Sequence, residues 1–224
     1  IILILFLYYS PLLLFGQGSG NLLHLDNSND YVKINGVNAN NFTISSNFTL
    51  EAWIKPNSIT GGKQCIIHFG SWNNNDYGIV FGIEANDLYF HIWNGTTSEY
   101  NIFTSSVDIL STSEPQHIAV TKSGGNVVLY HNGISIATAT NFTNFPTEQT
   151  LNSSIGHEWY NNSDQGKQYN GELDEVRVWN FAKTQTQLRD QMCTLEDGTS
   201  TGLLGCWNFD EGSGTTANDI STGA

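Results

Sequence analysis

The sequence predicts an all-β protein, two antiparallel sheets packed as a sandwich, with one short helix near the C-terminal end. Three observations predict it. Apolar and polar residues alternate strictly over Phe48-Thr-Leu-Glu-Ala-Trp-Ile-Lys, the period-two pattern of a half-buried strand. Similar short apolar runs recur along the chain, separated by turns rich in Gly, Asn and Ser. Only residues 184–192 read as a helix, with Thr184 as its cap. At 224 residues the chain is long enough for one sandwich with a full core.

In order, residues 1–15 are almost wholly apolar and stop at Gly16-Gln17-Gly18. A membrane span needs about 20 apolar residues, so this stretch is short for one. It fits the hydrophobic region of a secretory signal peptide, with residues 1–17 as its remnant. Ser10-Pro11 interrupts it as a strand. The expectation is a secreted or cell-surface protein with no stable membrane insertion once this segment is removed. Leu23 and Leu25 then alternate with polar neighbours, and Tyr31-Val32 restarts a strand. Between them, Asp26-Asn27-Ser28-Asn29-Asp30 is dense in oxygen ligands. Hard cations such as calcium prefer that chemistry, and an Asx-rich turn bonding its own backbone uses the same residues.

The half-buried strand at 48–55 ends at Pro56, which lacks a ladder donor. Residues 65–69, 78–83 and 88–93 read as three more strands, with a loop at 71–77 and a turn at Asn94-Gly95. Residues 117–121 and 127–130 are joined through Ser123-Gly124-Gly125-Asn126. Asn132-Gly133 then turns the chain into 134–139, a strong hairpin signal because both residues tolerate positive φ. A weaker strand is expected at 150–156 and a polar loop at 157–168. Residues 171–180 form the next strand, and Gly205-Cys206-Trp207-Asn208-Phe209 the last before a Gly- and Thr-rich end. The sandwich is expected over 22–193, with 194–224 as a closing strand and a linker towards a further module.

The stretch Gly171-Glu-Leu-Asp-Glu-Val-Arg-Val-Trp-Asn180 holds the most informative conflict. Uninterrupted alternation places Asp174 on the same face as Val176 and Val178. A carboxylate aimed at a core must be ion-paired, hydrogen-bonded or on a metal.

Composition narrows the function. Lys plus Arg is 8 and Asp plus Glu 21, a net charge of −13. Such a surface repels nucleic acid and anionic membranes, and suits cations, neutral sugars or basic partners. Cys193 and Cys206 either pair across their Gly- and Thr-rich loop or remain thiols, with Cys65 left over. No Cys-x-x-Cys spacing supports zinc, and the six His are scattered.

The ordered set Asn29-Asp-Tyr-Val32, Phe48 to Pro56, His117-Ile-Ala-Val-Thr121, Tyr130-His-Asn-Gly133 and Gly171 to Asn180 resembles the laminin-G-like group of the concanavalin A-like superfamily, in its pentraxin-like branch. The resemblance implies a two-sheet antiparallel jelly roll, secretion, structural calcium, and binding rather than catalysis. The family's calcium position maps onto Asp26, Asp30 and Asp174. Two departures stand out. Asn27 replaces a common glycine in the metal turn, and Pro115-Gln116 replaces the usual aromatic before His117.

Related jelly rolls include glycosidases with Glu-x-Asp-x-Glu on one strand. Here Glu172 and Asp174 share a face, and the third position is Val176. Retaining hydrolysis needs two carboxyl groups about 5–5.5 Å apart across the scissile bond. A glycoside hydrolase is therefore the least favoured reading, and no Ser-His-Asp set is legible. A sugar site needs an aromatic platform and nearby amides. Trp72, Asn74, Asp76 and Tyr77 supply one candidate loop; His157, Trp159 and Tyr160 supply another; Trp93 stands beside either. Aromatics that merely cover the sandwich ends would look the same. The expected partner is a glycan or, alternatively, an extracellular protein bound in adhesion.

Overall fold

A computed structural model describes residues 20–27, 30–34, 46–70, 77–94, 100–103, 109–140, 142, 153–160, 163–164 and 167–222. The chain enters through β1 (Leu23–Asp26) and β2 (Val32–Lys33) and continues into β3 (Phe48–Pro56). Next come β4 (Lys63–Gly70), β5 (Tyr77–Glu84), β6 (Asp87–Asn94) and β7 (Tyr100–Phe103). Three more follow in a meander, β8 (Gln116–Ser123), β9 (Asn126–His131) and β10 (Ile134–Ala139). Short strands β11 (Ser154–Ile155), β12 (Trp159–Tyr160) and β13 (Ser163–Asp164) precede β14 (Asn170–Trp179), helix α1 (Gln185–Gln191) and β15 (Leu203–Trp207). The first sheet runs β1-β14-β3-β8-β9-β10, with β15 also on β14. The second runs β2-β11-β4-β5-β6-β7, and β12 pairs with β13 alone. All pairings are antiparallel. The expected sandwich and single short helix are thus present. No helix among the described residues is long and apolar enough to cross a membrane.

The alternation over 48–55 does what it predicts. Phe48, Leu50, Ala52 and Ile54 join the core between the sheets, opposed by Ile67, Phe69, Ile79, Phe81 and Phe90. Their partners Thr49, Glu51 and Trp53 point the other way and are buried as well. The cover over them is the C-terminal arm. Thr184 caps α1 through a reciprocal bond with Gln187, and Leu188 seats the helix against Ala119 and Tyr130. Trp53 Nε1 donates to the Met192 carbonyl at 2.7 Å.

Beneath this arm lies a buried ionic network. Lys183 Nζ and Trp179 Nε1 both reach Glu51 Oε1 at 2.7 Å, and His117 Nε2 stands 3.3 Å from Oε2. Arg177 binds Glu175 Oε2 at 2.6 Å and donates to the Gln191 and Thr194 carbonyls. Burial pushes the Glu51 carboxyl up, yet the His117 hydrogen bond and the Lys183, His117 and Arg177 charges together hold it below the usual range. Every buried charge here has a partner, which is the condition for keeping charge in a dry interior.

The alternation over 171–178 fails at one point. A β-bulge falls between Asp174 and Arg177, with Glu175 at φ 49. Leu173, Val176 and Val178 therefore all face the core. Asp174 is opposite Trp53 and Arg177 opposite Glu51, so both lie on the outer face. The expected clash of an aspartate with valines does not exist; the extra residue turns the carboxylate away before the valines begin. The two adjacent acidic residues were the only sequence signal for it.

The expected 150–156 strand is reduced to β11; residues 150–152 lie outside the described residues. The polar loop at 157–168 carries the small β12–β13 pair, and β7, which sequence patterning does not reveal, extends the second sheet. Cys65, Cys193 and Cys206 are all thiols, Cys193 exposed and Cys206 buried.

Candidate functional site

Two residue sets share the second sheet. One faces the core; the other faces outward. In the outward set one ladder row runs Ser154, His68, Val80, His91, and the row beside it runs Cys65, Gly82, Tyr89. Cys65, Val80 and Tyr89 pack together apart from the main core. Gly82 is required here because a Cβ would overlap the Gln64 carbonyl oxygen and the Tyr89 ring. The bulge between Cys65 and Ile67 brings that carbonyl close.

Polar groups surround this row. Lys63 Nζ lies 3.0 Å from His91 Nε2 and 5.4 Å from the centroid of the Tyr89 ring, which His91 meets edge-on. Residues 157–158 and 167 approach from the loop after β11. Lys167 Nζ pairs with Glu158 Oε1 at 2.6 Å, and the His157 carbonyl accepts from Ser154 Oγ and Cys65 Sγ. The Tyr31 ring stands 5.1 Å from that of His157. Burial, with the charges of His157 and Lys167, drives His68 down to about 3, so its imidazole is neutral at physiological pH. Burial, then Cys65, Glu158 and Glu84, pushes the Tyr89 phenol well above its ordinary range. Its hydroxyl is buried with no hydrogen-bond partner among the described residues. The face thus sets the neutral His68 and Tyr89 in a dry interior, where each hydrogen bond counts for more than in water, flanked by Lys63 and the Lys167–Glu158 pair.

The sequence-derived residues fall around this face unevenly. Trp72, Asn74 and Asp76 lie outside the described residues. Their loop leaves β4 at Gly70 and enters β5 at Tyr77, whose ladder partner is Asn94; Trp93 pairs with Gly78. Trp159 and Tyr160 form β12. Their segment leaves beside Cys65, five residues back along β4, or roughly 17 Å at a strand's rise. The two aromatic loops are therefore anchored towards opposite ends of β4, on either side of the outer row. His157 is buried rather than presented to a ligand, at 1% exposure. Tyr89, His91, His68 and Lys63 were missed in sequence because strands of mixed polarity gave no sign of which face was outward. Trp53 and Trp179 are buried and pack within the first sheet's outer layer.

Among the described residues, Asp26, Asp30 and Asp174 are not gathered into a group that could hold a metal ion. Asp26 pairs with Asn170, four residues along β14 from Asp174, roughly 13 Å away. Calcium holds its oxygens at about 2.3–2.6 Å, so a single ion does not fit both carboxylates. Asp174 instead accepts the Glu175 backbone N–H at 2.8 Å and sits near Asp210. Burial, with Glu175 and Asp210, raises it to about 7 against the backbone hydrogen bond and Arg177. The bulge also sets Arg177 where the third carboxylate of a glycosidase strand would stand, and Glu172 is paired to Lys55 at 3.4 Å.

Several solved structures similar to this one are named for sugar binding or for sugar-processing enzymes, and these are distant in sequence. A Bacteroides ovatus protein provisionally named as carbohydrate binding aligns at TM-score 0.62 with 20% identity, covering 84% of this chain and 52% of its own, so this chain spans about half its length. The Ruminococcus gnavus IT-sialidase CBM40 bound to alpha2,3 sialyllactose aligns at 0.65 with 13% identity, covering 78% and 98%. The heptameric SAP-like pentraxin of Limulus polyphemus aligns at 0.55 with 19% identity, covering 79% and 84%. At these identities the likeness shows the fold. Among curated protein sequences none matches. A family model described as the concanavalin A-like lectin/glucanases superfamily matches residues 26–189, which is most of the chain, and on that match the protein belongs to the Laminin_G_3 family.

Proposed function

We propose that this chain is a non-catalytic carbohydrate-recognition module of a larger secreted or surface protein, taking a glycan against the outward row of its second sheet. The observation that carries the reading is the polar row on the outward side of the second sheet, with Lys63 beside His91 over the buried Tyr89, lying between the anchor points of two aromatic loops that would hold the glycan above it. Carbohydrate-binding modules among the structural neighbours support it. Trp72 and Trp159 supply the ring platforms, and the amides of Asn74 and its neighbours the hydroxyl contacts. Catalysis has no support from the first sheet, whose Glu175 is held by Arg177 and whose Glu172 is held by Lys55. Calcium, if the module carries it, falls to the Asp26–Asp30 turn alone, which predicts weak affinity, on the order of the millimolar class of extracellular sites.

A glycan array probed with the intact protein tests the reading. Binding should fall at least tenfold in Trp72→Ala and in Trp159→Ala, with melting temperature retained. No glycan signal, together with capture of a defined extracellular protein on the same face, would replace the sugar reading with adhesion.

A further inference from the structure

A half-open cleft of about 1000 Å³ lies at the mouth of the sandwich, between β1, β2 and the segment after β15. Its lining includes consecutive residues of β1 and of the β2 region, from Leu22 to Leu25 and from Asp30 to Ile34. Neighbouring residues of a strand point to opposite faces. A cleft lined by both sets runs along the backbone edge, not over one face. The sheet order agrees. Among the described residues β1 is laddered to β14 on one side only, and β2 to β11 on one side only. Two strand edges therefore border the same space.

The cleft has an apolar floor and an acidic rim. Leu23, Val32 and Ile34 are partly buried against the main core, with Trp207 and Phe209 beneath. On the rim, Asp30, Glu211 and Asp219 outnumber Lys33 and His24, with Glu211 also accepting the Asn218 N–H and Asp219 those of Cys206 and Ser221. The whole chain carries −13. Trp207 and Phe209 are buried in the core, and the half-buried Tyr31 ring packs against that of His157, so the floor offers no open ring platform for a sugar. A strand edge with no ladder partner among the described residues, beside an apolar floor, instead suits an added strand, whose alternate side chains reach floor and rim.

We propose that this cleft receives an extended peptide of alternating apolar and basic residues, added as a strand along the cleft-side edge of β1 at Leu23–Leu25. The apolar side chains enter the floor, and the basic ones meet Asp30, Glu211 and Asp219. This surface is separate from the Tyr89 face, so it stands or falls independently of glycan binding.

The test uses the intact chain and a fluorescein-labelled peptide, Lys-Val-Lys-Ile-Lys-Val-Lys, with Glu-Val-Glu-Ile-Glu-Val-Glu as control, read by anisotropy. The basic peptide should bind at least tenfold tighter than the acidic one, and hydrogen exchange should slow at the β1 amides. The double variant Asp30→Lys, Glu211→Lys should lose at least tenfold, and Thr215→Trp, which fills the cleft, should do the same. If the double variant unfolds, Thr215→Trp and the exchange pattern of the natural chain still decide. Equal binding of both peptides, or protection gained away from β1, overturns the proposal. So does competition by a neutral oligosaccharide, which would assign the cleft to glycan.

Discussion

Glu51 and Asp174 are two buried carboxylates that respond to pH in opposite directions. Glu51 titrates lower in the folded chain than in the unfolded one, so its contribution is present above the unfolded value near 4.5 and is lost as pH falls below it. Asp174 titrates higher, at about 7 against 3.8, so the folded state holds its proton longer and stability falls as pH rises from about 4 to 7. Thermal melts should therefore peak near about pH 4, where the two opposed slopes cancel, and decline on either side. Asp174→Asn keeps the acceptor for the Glu175 N–H and removes the buried charge. It should melt roughly 2–6 °C higher than the natural chain at pH 8 and match it near pH 4. Lys183→Met strands Glu51 and should cost about 3–5 kcal/mol in urea titration. A loss below about 1 kcal/mol would show that His117 and Trp179 suffice for Glu51. At this scale the sequence was least legible. Asp174 was rightly singled out as an unusual carboxylate, but alternation alone could not reveal the extra residue that turns it off the core. A left-handed Glu175 leaves no compositional trace, since glycine is the residue that usually marks such a position.

At the scale of elements, patterning performed well wherever one face was core and the other was not. Strand β3, the Asn132-Gly133 hairpin and helix α1 with its Thr184 cap all stand where the residues put them. Thr184→Ala removes a reciprocal cap and should lower stability by about 1 kcal/mol, measured by urea denaturation. Because α1 covers Glu51, Arg177 and Trp53, the same variant should speed hydrogen exchange across the first sheet's outer face. Strands β4 to β6 were found as elements, but both of their faces are buried, so the sequence could not say which residues served the core. Gly82→Ala should be the harshest small change there. Its methyl group meets backbone as well as Tyr89, and a loss of about 2 kcal/mol or more is expected, together with impaired glycan binding.

For the whole molecule, the two-sheet architecture was legible because many short strands and one short helix admit few other arrangements. The metal set was not. Residues far apart in sequence can share a strand ladder and still sit four positions apart on it, as Asp26 and Asp174 do. Chelation with EDTA should accordingly lower the melting temperature by no more than about 2 °C, because a turn without Asp174 holds calcium weakly. A drop of about 8 °C or more would show an ion bound by more carboxylates than the register allows.

Strands β1 and β15 lie end to end along the same side of β14, opposite Asn170–Leu173 and Val176–Trp179 respectively. Where they meet, Asn21 Nδ2 reaches the Asp210 carbonyl at 3.3 Å. The order of covalent connection is therefore incidental on that side of the sheet. A short Gly-Ser bridge from Asp210 to Asn21, with new termini opened between Asn132 and Gly133, should yield a circular permutant that keeps the sandwich.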